Sequence, residues 1–585
     1  MGETYVLFDD ARDGAGAARL YRDPMGEIVA WSLDDVRPAL SALREAVRGG
    51  RHAAGYLAYE AGQALDDKLA KDARVGEGPL LWFGLFQGCE FVEAAVLADP
   101  AGAFTGRVRP RVGREAYLDA ALVVREALYA GDYYQANLTF GCDVAVGGSP
   151  LALFARLRGG SRAGWGGVVR YSGGALVSLS PEQFFTLRDG QLNARPMKGT
   201  ARRSRDARED RALAEELAAD PKQRAENLMI VDLLRNDLAR VSETGSIAVP
   251  RLFAVESYPT VHQLVSEVTS ALRAGLDAVD VIETIFPCGS VTGAPKIAAI
   301  QALRRLEPEA RGAYTGSMGW IEPPRADGSA GDAAFNVLIR TLELRDDAPG
   351  MARAGLGSGL VVDSVMEQEW AECLLKGEYL TAARPAFDLI ETMRFDPEHG
   401  IAELDRHLDR MGQGAERFEF RFDRHAARNE LQAATFGRKD PAMIRLLLSP
   451  TGTMAIQVKR LERAALGPVA VSIAVMPVAG DDVRRRYKTT DRRFYDEPRR
   501  ANNSFETIFV DPDGRLTEGS ITNIFVERDG RLLTPPAARG LIPGILRGKL
   551  IDEGLAVEAE LVVEDLAGGF FVGNILRGLM RAKLV

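Results

Sequence analysis

Apolar and polar positions recur at two different spacings along this chain, and the change of spacing divides it into regions. Residues 1–110 contain short apolar and aromatic runs, such as YVLFD and PLLWFGLF, between glycine-rich turns, which predicts more strands than helices. Residues 114–130 repeat apolar groups at helical spacing. Because this stretch stops at Gly131, a residue suited to cap a helix end, it predicts a helix over 114–130.

Two further helical stretches precede a candidate linker. The helical period over 206–240 is interrupted near Pro221, where a proline suits the first turn of a new helix. The segment 364–380 predicts another helix. Pro385 and the small residues before it mark the candidate linker.

Beyond Pro385 the pattern changes to mixed strands and helices. FDLIETMRF predicts a strand and ELDRHLDRMGQGAERF a helix. Further strands are predicted near 443–458, 469–476, 505–510 and 523–527. This indicates a separate α/β unit. The predicted regions are therefore 1–110, 111–383 and 386–585.

Composition and charge narrow the class of protein. The 585 residues are too many for one hydrophobic core, which agrees with several domains. No apolar run reaches the roughly eighteen residues that suggest a membrane span. The N-terminus lacks a basic segment followed by a long apolar run, so we expect a cytoplasmic protein without a secretory signal. A net charge of -9 disfavours nucleic acid as a partner.

The four cysteines predict neither disulfides nor a zinc site. They are scattered, without CxxC pairs or histidines at metal-ligand spacing: Cys89, Cys142, Cys288 and Cys373. We expect reduced, mostly buried thiols.

The first candidate site surrounds Lys198. This lysine lies in ARPMKGT, which predicts a turn, and an exposed turn residue without a function is an equally good interpretation of this motif alone. Glu226 lies on a largely apolar helix, where an unpaired carboxylate is costly. Glu369 and Glu372 share a helix face, and a solvated salt-bridged face is the simpler explanation for them. Carboxylates from separate helices also hold magnesium.

Two glycine-rich stretches, CGSVTGAPK and GLGSGLVVDS, are predicted as turns whose backbone amides bind carboxylates. The second lacks the later glycine of a dinucleotide fingerprint, and the first lacks the Gly-Lys-Ser/Thr of a P-loop, so neither nucleotide motif is predicted.

Over roughly 110–380 the chain resembles the chorismate-utilising enzymes, which implies an α+β fold with a sandwich of sheets. The matching blocks are GDYYQANLT, SPEQFF, PMKGT, AENLMIVDLLRND, VHQLVSEV, GSVTGAPK, AYTGSMGWI, FNVLIRT and GSGLVVDSVMEQEWAECLLK. The resemblance implies a magnesium ion held by Glu226 and Glu372, with Glu369 in support. It also implies substrate contacts through Ser290, Tyr314, Arg340, Gly359 and Lys376, with His262 beside the ring of chorismate.

Lys198 indicates the branch of that family. The anthranilate-forming branch has alanine in this turn, whereas the aminodeoxychorismate synthases have lysine, so the resemblance implies amination of chorismate at carbon 4. The lysine would act as a free amine, and we expect its pKa to be depressed. No glutaminase motif is visible in the sequence, so ammonia or a separate glutamine amidotransferase subunit is the expected partner.

The second candidate site surrounds Lys488. It lies in RRRYKTTDRR, a basic patch that on composition alone also fits a phosphate or nucleic-acid surface. The strand-rich stretch after it places Glu518 and Asn523 at strand ends, and LIPGILRG predicts a glycine turn into a helix, a phosphate-binding arrangement.

Over 386–577 the chain is similar to the class IV pyridoxal-phosphate enzymes, which include aminotransferases and aminodeoxychorismate lyases and have a two-subdomain α/β fold. The similarity implies that Lys488 carries the cofactor, with Glu518 on its ring nitrogen and Thr392 beside the lysine. It implies phosphate contacts from Arg406, Ile545 and Leu546. The usual GDG before the first strand is replaced by AFD.

Three functions stay open. The two resemblances together imply synthesis of p-aminobenzoate by amination and then elimination. An aminotransferase acting on D- or branched-chain amino acids would fit the second half equally well. A non-enzymatic scaffold that binds a glutaminase is the third. Class IV enzymes commonly dimerise, so a homodimer is plausible.

Overall fold

The computed structural model describes residues 3–12, 14–71, 73–94, 98–258, 261–461, 467–480 and 482–585. The chain forms two compact units. Unit 1 consists of Met1–Ala101 and Arg107–Ala383, and unit 2 consists of Gly102–Gly106 and Arg384–Val585. The division after residue 383 lies next to the candidate linker. Residue 110 separates no units, because strands from both sides of it share the same sheets.

The helices up to residue 383 are α1 Leu33–Arg48, α2 Asp67–Ala70, α3 Arg114–Ala130, α4 Pro150–Ser161, α5 Ala207–Ala219, α6 Pro221–Ala239, α7 Ala278–Ile285, α8 Lys296–Leu306 and α9 Met366–Lys376. The strands are β1 Tyr5–Asp9, β2 Ala18–Arg22, β3 Gly26–Ala30, β4 His52–Leu57, β5 Leu81–Phe86, β6 Glu90–Val92, β7 Phe104–Pro110, β8 Gln135–Gly147, β9 Trp165–Tyr171, β10 Gly174–Ser180, β11 Gln183–Arg188, β12 Gln191–Arg195, β13 Met197–Arg202, β14 Ala248–Ser257, β15 Val261–Ala271, β16 Gly293–Ala294, β17 Ser317–Ile321, β18 Ala333–Asn336, β19 Thr341–Arg345 and β20 Met351–Leu360.

These strands form two large sheets. One has the order β16-β8-β20-β19-β10-β9-β1-β2-β6, with β7 also beside β8. The other has the order β13-β15-β12-β11-β18-β17-β4-β5-β3, with β14 also beside β15. An aromatic core that includes Tyr21 and Tyr171 from the first sheet and Trp82 and Trp320 from the second joins them face to face. Unit 1 is therefore the expected α+β sandwich of sheets.

Local signals predicted the helices of unit 1 well. Helix α3 ends at Gly131, which has the left-handed φ of 81° that glycine adopts readily. Helices α5 and α6 divide at Pro221, which occupies the first turn of α6. Each prediction is confirmed, because the capping residue and the apolar spacing indicate the same boundary.

The helices of unit 2 are α10 Leu404–Phe418, α11 Arg424–Thr435, α12 Arg493–Ala501 and α13 Ile545–Asp552. The strands are β21 Leu389–Asp396, β22 Gly400–Ile401, β23 Ala442–Leu448, β24 Met454–Arg460, β25 Val469–Val475, β26 Glu506–Val510, β27 Leu516–Gly519, β28 Asn523–Arg528, β29 Arg531–Thr534, β30 Ala556–Glu558, β31 Phe570–Asn574 and β32 Gly578–Leu584.

Unit 2 has two subdomains, as expected. A four-stranded antiparallel sheet, β22-β21-β23-β24, packs its apolar side against α10 and α11. A mixed eight-stranded sheet follows, in the order β27-β26-β25-β32-β31-β28-β29-β30. The strand predicted over 443–458 is in fact two strands, β23 and β24, joined by a turn at 449–453.

Two predictions from composition, on membrane-spanning helices and on the cysteines, can be compared with the structure. Across the described ranges, no helix has both the length and the apolar character that a membrane crossing requires. All four cysteines are free, and three of them are buried.

Candidate active sites

Lys198 lies on a strand, not in the turn that the sequence predicted. It is the second residue of β13, and the register with β15 shifts between Met197 and Thr200. Gly199 has a φ of 90° within this irregularity. The irregularity is a bulge, and bulges redirect side chains near functional sites. The same glycine that suggested a turn therefore produces a bulge inside a sheet.

The glycine-rich stretch GLGSGL is also a strand, and its prediction as a turn was wrong. It belongs to β20, which pairs with β8 over its whole length. A Cβ atom added to Gly359 would lie 3.0 Å from Lys198 Nζ and 2.9 Å from Gln135 Nε2. A Cβ atom added to Gly355 would lie 2.1 Å from the ring of Tyr314. Glycine is required here because side chains of the site approach the strand backbone closely.

Lys198 is surrounded by charged groups of both signs. Removal of the amine from water lowers the pKa of Lys198, and the positive charge of Lys376 lowers it further. The carboxylates of Glu226, Glu182 and Glu372 act in the opposite direction and do not outweigh burial. The net effect raises the fraction of free amine, the form in which lysine is a nucleophile.

Glu182 is a site residue that the sequence reasoning missed, although it lies in the block SPEQFF. It is buried and accepts a hydrogen bond of 2.6 Å from Ser290 Oγ. Burial raises the pKa of Glu182 despite that bond and the charges of Lys198 and Lys376. A raised pKa makes a carboxyl group easier to protonate, which favours general acid catalysis.

The three carboxylates expected to hold magnesium are close enough to interact. Burial raises the pKa of Glu226, and the negative charges of Glu369 and Glu372 add to that effect. Glu372 is paired with Lys376 at 2.8 Å. Nowhere in the described part of the chain do three or more metal-ligand side chains cluster tightly enough to hold an ion by themselves. Magnesium commonly uses one or two carboxylates with water and substrate, and Glu226 with Glu372 fits that pattern.

Several polar groups of unit 1 are buried and have no hydrogen-bond partner among the described residues. Both amide atoms of the Gln135 side chain and the hydroxyl of Tyr379 are in this state. Burial lowers the pKa of Arg340, and the residues that the structure describes give its guanidinium no ion pair; Tyr379 is its electrostatic neighbour. Buried polar groups are normally satisfied, so these orphans indicate a polar, anionic ligand.

His262 is not joined to Lys198. A hydrogen bond of 3.0 Å links its Nε2 to Asp210, and one of 2.8 Å links its Nδ1 to Ser257. Both ring nitrogens are thus engaged, with the histidine held in β15 beside Ala201 of β13.

The second site is a cavity of about 540 Å³ lined by both sheets of unit 2. This size is ordinary for a small-molecule or cofactor site. The expected residues Lys488, Thr392, Glu518, Asn523 and Ile545 all line it. Leu546 is not among the lining residues; it packs with the apolar cluster around Phe525.

Arg406, the expected phosphate contact, lies outside the cavity lining and forms ion pairs with Glu403 and Asp552. Arg410, one turn further along α10, is part of the lining. It pairs with Glu391 at 2.6 Å and donates to the carbonyl of Pro543 at 2.9 Å.

Lys488 is anchored by its backbone, since Ile390 donates to its carbonyl at 3.0 Å. Removal from water lowers the pKa of Lys488 to about 7. The charge of Glu391 opposes this shift, and those of Arg410 and Arg492 reinforce it. Much of the lysine is therefore a free amine at neutral pH.

A buried acid and a buried histidine, Glu391 and His407, lie close to Lys488 together with Arg410, and no sequence motif indicated them. Burial by itself would raise the pKa of Glu391, but Arg410 and a 2.6 Å bond with His407 Nδ1 lower it well below its usual range. His407 Nε2 is buried without a partner. Burial lowers the pKa of His407, which favours the neutral ring.

Glu506 is a further residue that the sequence reasoning missed. This fully buried carboxylate accepts from the backbone amides of Ser520 at 2.9 Å and Ile521 at 3.1 Å, and from the hydroxyl of Thr522 at 2.6 Å. The segment that it holds lines the cavity directly after Glu518. Glu506 thereby fixes one wall of the cavity.

The N-terminus of α13 forms another wall. Gly544 precedes the helix, and a Cβ atom there would lie 1.9 Å from Asn523 Oδ1, so only glycine fits. Free amides at a helix N-terminus favour phosphate.

Comparison with known proteins finds a family match for each unit. Residues 3–382 match the family described as chorismate binding enzyme, and residues 388–585 match the family described as amino-transferase class IV. The second match implies pyridoxal phosphate. Lys488, Glu518, Arg410 and the α13 N-terminus provide an amine, an acid and phosphate donors, and they fit that cofactor.

Individual relatives cover the first unit. Aminodeoxychorismate synthase component 1 of Klebsiella aerogenes is 41% identical over 268 residues, which cover 46% of this chain and 57% of the relative. The Escherichia coli K12 protein of the same name is 40% identical over 259 residues, covering 44% and 55%. The chain thus spans just over half the length of these relatives.

Anthranilate synthases are also similar. Component 1 of Methanothermobacter marburgensis is 32% identical over 348 residues, which cover 56% of this chain and 73% of the relative. The crystal structure of component I from Streptococcus pneumoniae TIGR4 superposes with a TM-score of 0.54 at 24% identity, covering 63% of this chain and 92% of that one. This structural likeness supports the fold alone.

Proposed function

This chain belongs to the chorismate binding enzyme family, and we propose that it makes p-aminobenzoate from chorismate in two steps. Unit 1 aminates chorismate to 4-amino-4-deoxychorismate. Unit 2 then eliminates pyruvate from that product. The observation that carries the proposal is the pair of partly buried lysines with depressed pKa values, Lys198 and Lys488, one in each unit.

In the first step Lys198 acts as a nucleophile. Its free amine attacks carbon 2 of chorismate while the carbon 4 hydroxyl leaves with a proton from Glu182. Ammonia then adds at carbon 4, and Lys198 departs with its bonding electrons and is released as an amine. The raised pKa of Glu182 and the lowered pKa of Lys198 support these roles, because each shift favours the protonation state that the step requires.

The substrate of this step carries two carboxylates. Arg340 has no anionic partner in the described chain, so we assign one carboxylate to it. Glu226 and Glu372 would hold magnesium, which would neutralise the ring carboxylate; Glu369 supports them. Ser290 and Lys376 complete the contacts. His262 is a positioning residue in this proposal, because both its ring nitrogens are engaged.

The lysine at position 198 is the reason to propose amination at carbon 4. The aminodeoxychorismate synthase relatives support this assignment. Their designation as component 1 supports a second component, and we propose that a separate glutamine amidotransferase supplies the ammonia.

In the second step Lys488 moves the proton. Pyridoxal phosphate, when bound, supplies an electron sink. Arg410 and the α13 N-terminus would hold its phosphate, and Glu518 would pair with its ring nitrogen. Lys488, as a free amine, removes the proton at carbon 4 of the substrate, and loss of the enolpyruvyl group leaves an aromatic ring. Thr392 lies on the cavity wall beside this lysine.

The charge of the cavity favours a lyase over an aminotransferase for branched-chain amino acids. Beyond Arg410 and Lys488, the lining contains further cations from the sheets and from α12: Arg445, Lys459, Arg460, Arg492, Arg499 and Arg577. Such an excess suits a substrate with two carboxylates in addition to the cofactor phosphate. Transamination dependent on an added keto acid would support the aminotransferase instead.

Two variants test the proposal by separating the steps. Lys488→Ala, given chorismate, ammonium and magnesium, is expected to accumulate 4-amino-4-deoxychorismate. Lys198→Ala is expected to form no product from chorismate but to convert supplied 4-amino-4-deoxychorismate to p-aminobenzoate and pyruvate at the wild-type rate.

The exposed Lys439→Ala variant is the matched control and should retain both steps. Undiminished p-aminobenzoate formation from chorismate by Lys198→Ala would remove that lysine from the mechanism. Undiminished turnover by Lys488→Ala would do the same for the second site. If the folded wild-type protein catalysed neither partial reaction, the alternative of a non-enzymatic scaffold that binds a glutaminase would be favoured.

A further inference from the structure

Glu518, the acid in the wall of the unit 2 cavity, is held by a tyrosine. The hydroxyl of Tyr495 donates a short hydrogen bond to Glu518 Oε1. The backbone amide of Ile542 donates to Oε2 at 3.1 Å. Each carboxylate oxygen thus has one fixed donor, and their remaining lone pairs are available to a ligand in the cavity.

Tyr495 itself has little freedom to move. It lies on α12, is 1% exposed, and packs in an apolar cluster with Met476, Phe494 and Phe509. The rings of Tyr495 and Phe494 are 4.1 Å apart between centroids, and the edge contact with Phe509 is 5.6 Å. A phenylalanine would fill this cluster equally well. The hydroxyl therefore contributes no packing, and its buried position is explained by its bond to Glu518.

The Tyr495 hydroxyl also affects the protonation of Glu518. Burial raises the pKa of Glu518 to about 8, and the bond from Tyr495 is the largest opposing influence. Arg485 and Arg492 exert weaker attraction, and neither forms an ion pair with Glu518 in the structure. Lys488 lines the same cavity. Loss of the hydroxyl would consequently leave the acid more firmly protonated.

We infer that Tyr495 is a positioning residue for the cofactor: it orients Glu518 and keeps that carboxylate able to give up its proton to the ring nitrogen of pyridoxal phosphate. On binding, the O–H bond of Glu518 breaks and an N–H bond forms on the ring. The resulting ring cation faces a carboxylate whose charge the tyrosine hydroxyl stabilises. This inference rests on the proposed function of unit 2, since it requires that pyridoxal phosphate binds there.

A purely structural role for the Tyr495–Glu518 hydrogen bond predicts a different result. If Tyr495 and Glu518 only stabilise the core, removal of the hydroxyl should change the unfolding temperature and leave cofactor binding unchanged. Buried polar pairs stabilise a fold less than apolar residues of the same shape, so stability alone does not explain a hydroxyl at this position.

The Tyr495→Phe variant tests the inference in the full-length protein. Its dissociation constant for pyridoxal phosphate, from an absorbance titration, should rise at least about tenfold, because a hydrogen bond to a charged group is lost. Nitrogen-15 NMR with ring-labelled pyridoxal phosphate should show a smaller protonated fraction of the ring nitrogen than in the wild type. The Thr435→Val variant, which removes a buried hydroxyl of α11 outside the cavity lining, is the control and should change neither quantity.

A double-mutant cycle with Glu518→Gln adds the second criterion. If Tyr495 acts through Glu518, Tyr495→Phe should weaken cofactor binding no further once residue 518 is glutamine. Equal effects of Tyr495→Phe in both backgrounds, or wild-type affinity and ring protonation in the single variant, would overturn the inference. Failure of the wild-type protein to bind pyridoxal phosphate would instead contradict the proposed function.

Discussion

The depressed pKa of Lys488 predicts an unusual pH dependence for its reactivity. With a pKa of about 7, roughly three quarters of the amine is unprotonated at pH 7.5. An ordinary lysine, with a pKa of about 10.4, is only about 0.1% unprotonated at that pH. Burial in the cavity therefore increases the reactive fraction several hundred-fold. Below pH 7 the reactivity should fall about tenfold per unit, and above pH 8 it should level off.

Trace labelling of the cofactor-free protein with acetic anhydride measures this directly. The extent of labelling at Lys488 is followed by mass spectrometry from pH 5.5 to pH 10. The exposed Lys439 in the same sample reports how the reagent itself changes with pH. We expect a midpoint near 7 for Lys488. A rate that continues to rise tenfold per unit beyond pH 9 would refute the claim that burial dominates at this lysine.

Three further changes have defined consequences. Arg340→Gln should raise the KM for chorismate about 10- to 100-fold, because a charge-assisted hydrogen bond to a substrate carboxylate is lost. The unfolding temperature should not change. An unchanged KM would mean that no carboxylate binds at Arg340. Gly359→Ala should lower kcat/KM for the first step at least about tenfold, because its Cβ would displace Lys198 or Gln135, and wild-type kinetics would show that neither position matters. Glu506→Gln should destabilise unit 2 by about 2 kcal/mol in thermal unfolding and weaken cofactor binding, because an amide cannot accept all the hydrogen bonds from residues 520–522. Wild-type stability together with wild-type cofactor affinity would contradict the role of Glu506 in holding this wall of the cavity.

Local signals predicted the helices because the information lies within one turn of each boundary. Gly131 and Pro221 mark helix ends through their own backbone preferences. The α9 carboxylates Glu369 and Glu372 were likewise grouped correctly from their spacing alone.

The glycine-rich stretch misled the same reasoning. Glycine usually signals a turn, but in β20 it is required by atoms that arrive from elsewhere in the fold, such as Lys198 Nζ and the Tyr314 ring. No local pattern records those approaches. A helix period alone likewise does not tell which of two arginines one turn apart, Arg406 or Arg410, lines the cavity.

Buried acids were the other omission. Glu182, Glu391 and Glu506 lie in strand-like or loop segments without distinctive spacing. Their chemistry depends on partners more than fifteen residues away for Glu391 and more than one hundred for Glu182. Such groups become visible only when tertiary structure brings a donor to each carboxylate.

The central claim is that one chain carries both reactions. Its most direct test is to supply the purified wild-type protein with chorismate, ammonium, magnesium and pyridoxal phosphate, and to quantify p-aminobenzoate and pyruvate over time. We predict that the two products form in equal amounts and that both vanish when chorismate is omitted. Accumulation of 4-amino-4-deoxychorismate without either product, or formation of anthranilate with pyruvate, would contradict the account.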